Sequence, residues 1–174
     1  MGPSRPALVV SASPDAGLAE LAALREAIGL ARAARAAGRH PFGAMVVAAD
    51  GRVLARAGNE SATGEDPTAH AETLAIRMAA AAHGGAALAD GTLVTSAEPC
   101  AMCAGAVYWA GLSKVVYGLS ETRLRTLTGA HPENPTLDLP CREVFASGQR
   151  RVDVLGPLLE DEAAAVHDGF WSAL

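Results

Sequence analysis

The sequence predicts a single α/β domain with helices packed on both faces of a sheet. Short apolar, β-rich runs alternate with longer segments of helical periodicity. The chain has 174 residues, half of them hydrophobic, which is enough for one core and too few for two ordinary domains. It shows neither an internal repeat nor an internal linker.

The elements follow in order. Residues 1–17 mix Pro, Ser, Gly and Ala and read as a flexible lead-in to a domain at 18–174. Over 18–37, Leu21, Leu24, Ile28 and Leu30 recur near helical spacing with Arg25, Arg32 and Arg35 between them, and Gly38 is a natural stop. The runs 45–48 and 53–57 flank Asp50-Gly51, a hairpin signal. Asp66 is expected to cap a helix carrying Pro67 in its first turn and running to His83, before Gly84-Gly85. A strand at 92–95 precedes a helix opened by Glu98-Pro99, ending near Ala110 and closed by Gly111. Another strand is expected at 114–118. Residues 119–139, with Gly129, Pro132 and Pro135, read as a long loop of the kind that carries function. A short helix from Cys141, a strand at 152–155 and a final helix through Ala163 to Trp171 complete the chain.

The formal charge of -5 and pI near 5.5 argue against a dedicated nucleic-acid binder, which carries a basic face. Three cysteines, an odd number with two close together, do not form a disulfide framework and point to a reducing, cytoplasmic setting. No apolar run is long enough to span a bilayer, and the start lacks the apolar core of a signal peptide.

Two segments carry chemistry: Thr68-Ala69-His70-Ala71-Glu72 and Glu98-Pro99-Cys100-Ala101-Met102-Cys103. A catalytic zinc takes three protein ligands and leaves its fourth position to water, and His70, Cys100 and Cys103 supply such a set. Cys100 and Cys103 are three apart, so their sulfurs share a helix face. Both motifs are expected in the first turns of helices, where free amides and the positive dipole end favour thiolate. Glu72 is not needed as a ligand and is placed to move protons for a water that zinc acidifies to a pKa of about 7. A redox pair or a structural zinc site are the alternatives, the latter needing a fourth ligand from Cys141, His83 or His131.

His-x-Glu followed by Pro-Cys-x-x-Cys is the signature of zinc nucleobase deaminases. Over 40–171 the chain resembles the cytidine/deoxycytidylate deaminase superfamily, closest to its guanine deaminase-like branch. Further matches are Pro41-Phe42-Gly43-Ala44, Asn59, Asp66-Pro67-Thr68 and Gly105-Ala106-Val107-Tyr108-Trp109-Ala110. The resemblance implies a three-layer α/β/α sandwich with a five-stranded mixed sheet, bound zinc and a homodimer. It implies that His70, Cys100 and Cys103 hold zinc and that Glu72 shuttles protons. Asn59 and the backbone of Ala71 would bind the substrate ring, with Phe42 and Trp109 as aromatic walls. Phe42 is equally readable as core, Asn59 as a turn residue, and Trp109 as packing or dimer interface. A second carboxylate is expected from Glu133, Asp138 or Glu143, with Glu133 first by spacing. The segment His167-Asp168-Gly169-Phe170-Trp171 resembles a tail that closes the pocket, of its own chain or of a partner.

Guanine is the expected substrate, favoured by the Tyr108-Trp109 pair and the acidic balance. Cytosine, a nucleoside such as guanosine or cytidine, or an aminotriazine are alternatives. A tRNA adenosine is less favoured, because the tail carries Glu160, Asp161, Glu162 and Asp168 without Lys or Arg. A zinc scaffold without catalysis would not need Glu72.

Overall fold

A computed structural model of the chain describes residues 16–61, 65–129, 131–135 and 137–173. The lead-in expected at 1–17 lies, up to residue 15, outside the described residues. The elements are α1 (Leu18–Ala36), β1 (Gly43–Val47), β2 (Val53–Gly58), α2 (Ala71–His83), β3 (Thr92–Ala97) and α3 (Ala101–Ala110). They continue with β4 (Lys114–Leu119), α4 (Glu121–Thr128), α5 (Cys141–Ala146), β5 (Asp153–Leu155) and α6 (Glu160–Ala164). Single 3-10 turns follow α2 and α6, at Gly85–Leu88 and Ala165–His167.

The five strands form one mixed sheet in the order β2-β1-β3-β4-β5. β1 pairs antiparallel with both β2 and β3, whereas β3/β4 and β4/β5 are parallel. Both faces are covered, so the central strands are buried on both sides rather than alternating between core and solvent. On one face Ala44, Val46, Leu93, Val115 and Tyr117 pack against Ala75 and Ile76 of α2, Val107 of α3 and Phe145 of α5. On the other, Met45, Val94 and Val116 meet Leu24, Ala27 and Ile28 of α1 and Ala163 of α6. The α/β/α layering and the mixed five-stranded sheet are as expected.

Four expected boundaries are corrected. Asp66 does not cap α2. Its Oδ1 accepts from the Thr68 backbone and hydroxyl at 2.9 and 2.6 Å, and Ala69 N–H donates to Asp66 O at 3.0 Å. Those bonds make 66–69 a turn, and His70, in an extended conformation, becomes the N-cap. Cys100 likewise stands at the N-cap of α3 rather than within its first turn.

The expected loop at 119–139 contains a helix, α4. Ser120 caps it by accepting from Arg123 N–H at 3.3 Å, and only Leu124 and Thr128 are buried, one turn apart. Eight residues with two buried positions show too little periodicity to be read from sequence. The final helix is also shorter than expected. Arg35 donates to the carbonyls of Val166 and Asp168, each at 2.6 Å, drawing them out of a helical ladder, and Gly169 turns the chain at a φ of 69°.

The tail instead folds back on its own chain. Trp171 is buried and its ring lies 5.2 Å from His40, 5.7 Å from His131 and 6.2 Å from Phe42. His167 packs on Phe42 at 5.2 Å. Among the described residues no helix is long and apolar enough to cross a membrane.

Candidate active site

The starts of α2 and α3 face each other. His70 and Cys100 are both N-cap residues, while Cys103 stands one turn into α3 on its buried side. The Sγ atoms of Cys100 and Cys103 lie 3.7 and 3.6 Å from His70 Nδ1. All three atoms fall within 4.8 Å of one another. A tetrahedral ion with zinc–sulfur and zinc–nitrogen bonds of about 2.3 and 2.0 Å holds those atom types about 3.5 Å apart. The donor set and its spacing therefore fit zinc.

No fourth protein ligand joins the group among the described residues. Cys141 is buried beside the Glu98 carboxylate, His83 Nε2 meets Leu54 O at 3.2 Å, and His131 packs on Trp171. Three ligands and an open position are the pattern of a catalytic rather than a structural zinc. All three cysteines are free thiols.

The four groups are coupled electrostatically. The hydrogen bond from Cys103, helped by His70, holds the Cys100 thiol down at about 4. Cys103, as the donor to Cys100 and buried next to Glu72, is pushed well above its ordinary value. His70 is raised, chiefly by its hydrogen bond with Cys100. Burial raises Glu72, which is 5% exposed.

Glu72 occupies the second position of α2, so it follows the ligand His70 into the same cleft. Its Oε1 accepts from Thr95 Oγ1 at 3.0 Å, and its Oε2 lies 3.6 Å from Cys103 Sγ. Thr95, fully buried on β3, was invisible to motif reading. It points to the same face as Leu93, toward α2.

The remaining expected residues separate into two groups. Asn59 is 2% exposed, and its backbone N–H donates to Phe42 O at 3.0 Å, which ties the end of β2 to the entry of β1. Its Oδ1 accepts from Ser61 N–H and Oγ at 3.0 and 2.9 Å. Ala71 is fully buried as the first residue of α2, where a helix leaves its amide unused. Phe42 is half-buried under the tail residues His167 and Trp171.

Trp109 stands apart. It is 83% exposed at the end of α3, with the Tyr108 ring 5.5 Å away. Residues 102 and 109, seven apart, share the outer face of α3, opposite Cys103, Ala104 and Val107. Within one chain Trp109 is therefore not a wall of the cleft.

Of the three expected second carboxylates, Glu133 meets His40 Nε2 at 3.0 Å beside the tail aromatics. Asp138 is paired to Arg125 at 2.6 Å on the surface, and Glu143 is exposed on α5. Sequence reading missed Glu121, the half-buried first residue of α4. Burial, then the charges of Glu98, Cys100 and Asp138, push its carboxyl up to about 7. The only sequence signal for it was Ser120, a residue type that caps helices.

A three-layer α/β/α fold that converges a His/Cys/Cys set and a buried carboxyl at two helix starts defines a zinc-dependent hydrolase of C–N bonds. The zinc-binding region of cytidine and deoxycytidylate deaminases matches residues 19–119, more than half of the chain. The chain belongs to that family. A protein described as a probable cytosine deaminase, from Schizosaccharomyces pombe, is 41% identical over 152 residues, 87% of this chain and 92% of that protein. The structure of guanine deaminase from Nitrosomonas europaea superposes with a TM-score of 0.71 at 30% identity, covering 87% of this chain and 84% of that one. A structure from work on tRNA:A34 deaminases, which edit A to I at the wobble position of transfer RNA, gives 0.68 at 32% identity, covering 84% and 99%.

Proposed function

We propose that residues 18–174 form one catalytic unit that hydrolyses the exocyclic amino group of a free nucleobase, with guanine as first substrate and xanthine and ammonia as products. One observation carries the reading: a buried carboxyl, Glu72, stands beside a three-ligand metal set without being one of its ligands. His70 Nδ1 and the sulfurs of Cys100 and Cys103 hold zinc. When bound, zinc brings a coordinated water to a pKa of about 7 and so supplies a nucleophile at neutral pH.

Glu72 handles the protons. Its raised pKa lets it accept one, and it passes protons to the ring nitrogen and the departing amine. Thr95 holds Oε1 and thereby sets the direction of Oε2. Asn59 orients the ring. Because Ser61 N–H donates to Oδ1, the Asn59 amide nitrogen faces the other way and is available to donate to a ring carbonyl. The free amide of Ala71 supports the same ring, Phe42 forms one apolar wall, and Glu133, oriented by His40, is the second carboxylate.

Guanine is supported by the likeness to the guanine deaminase of N. europaea and by the Pro41-Phe42-Gly43-Ala44 motif. Cytosine is the second reading, favoured by the 41% identity to the S. pombe protein. A tRNA substrate has less support, since the tail is acidic. A homodimer is proposed to cover Trp109, and the free thiols suit a cytoplasmic setting.

Ammonia release from guanine, guanosine, cytosine, cytidine, adenine and an aminotriazine tests the substrate. Turnover of cytosine or a nucleoside without turnover of guanine would overturn the first choice. Glu72→Gln is expected to keep zinc and lose at least about 100-fold in kcat. Zinc-loaded Glu72→Gln with full activity would overturn the mechanism.

A further inference from the structure

Glu98 sits two residues before Cys100 and is 8% exposed, yet the chemistry above makes no use of it. Its backbone N–H donates to Leu119 O at 2.8 Å, extending the pairing of β3 with β4. Its side chain reaches further. Oε2 accepts from the backbone N–H of Glu121 and Oε1 from that of Cys141, both at 3.1 Å. Glu121 and Cys141 are the first residues of α4 and α5, and a helix leaves its first amides without internal partners. No Lys or Arg ion pair to Glu98 occurs among the described residues, so two helix starts meet its charge.

We infer that Glu98 is a positioning residue of the metal site, clamping the turn that presents Cys100 onto the starts of α4 and α5. The turn is held from two directions, by Leu119 through the backbone and by both helices through the carboxylate. Without the side-chain clamp, Glu98 is tied to the neighbouring strand by its backbone bond to Leu119 O, and Cys100 gains freedom relative to His70. The same carboxylate anchors the start of α4 and the start of α5, the two ends of the stretch that carries Glu133. Metal retention and the rim of the cleft are thereby tied to one side chain. The inference rests on the zinc reading above and concerns a residue that touches neither metal nor substrate.

The test uses the zinc-loaded chain and follows zinc release to a chelator, independently of any substrate. Glu98→Gln replaces one oxygen by an NH2 that faces a backbone N–H. It is expected to release zinc about 10- to 100-fold faster, the usual effect of losing a partner just outside the ligands. A second pair isolates one bond. Glu121→Pro removes the N–H that Glu98 accepts, at a first helical position where proline is favoured, after a Ser120 whose φ of -69° and ψ of 149° suit a following proline. Glu121→Ala removes the same carboxyl and keeps the N–H. Release several-fold faster from Glu121→Pro than from Glu121→Ala is the expected result. Equal rates from the two zinc-loaded variants would overturn the inference alone, even if Glu98→Gln does not fold. A wild-type chain that binds no zinc would overturn the metal reading and the inference with it.

Discussion

His167 is 3% exposed and its Nδ1 accepts the indole N–H of Trp171 at 3.2 Å, a role only the unprotonated nitrogen can fill. Burial, with a smaller push from Arg35, lowers it from 6.5 to about 4. The folded chain therefore binds fewer protons here than the unfolded chain. The contribution is fully present above pH 6.5 and is lost as pH falls toward 4, about 3 kcal/mol in all. His167→Asn keeps an acceptor and does not titrate. Urea unfolding from pH 7 to 4 should show the variant losing about 3 kcal/mol less than wild type; parallel curves would refute the assignment. The role of the metal ligands was legible because each was named by type and spacing. His167 was legible only as part of a tail, since part of its packing comes from Phe42, more than a hundred positions away.

At the scale of the elements, α1 and β1 approach closely at Gly43. A Cβ at Gly43 would lie 2.5 Å from both Ala27 O and Ala31 N, and 2.7 Å from Leu30 Cβ. Helix backbone cannot move aside as a flexible side chain can. Gly43→Ala is expected to cost about 3 kcal/mol and lower the melting temperature by roughly 6–12 °C. An unchanged melting temperature would mean that α1 is free to shift from the sheet. The glycine also belongs to the Pro41-Phe42-Gly43-Ala44 motif, so a residue that resembled a pocket element also sets a helix-to-strand distance. Its N–H donates to Ser96 Oγ at 3.0 Å, which keeps Phe42 next to Asn59. Strong periodicity and glycine stops made α1 and α3 readable. The starts of α2 and α3 were misread because Asp66-Pro67 and Glu98-Pro99 look like caps and are used for a turn and a clamp.

At the scale of the whole molecule, Trp109 is, among the described residues, the large apolar side chain the single chain leaves most open after Leu18, with Met102 on the same face of α3 at 37% exposure. Trp109→Glu should convert the proposed dimer to monomer in sedimentation velocity, with the zinc content unchanged. A wild-type chain that sediments as a monomer would refute the dimer. The sequence by itself determined the α/β class and singled out His70, Cys100, Cys103 and Glu72, which the fold brings together. Those rest on residue type and short spacing, which local chain geometry preserves. Tertiary structure decided that His70 and Cys100 stand at helix caps, that Thr95 holds Glu72, and that the tail covers Phe42 of its own chain. It also decided that Trp109 faces outward while Glu98 joins three elements. Each of these depends on which distant segments the sheet order brings together, and no spacing along the chain encodes that.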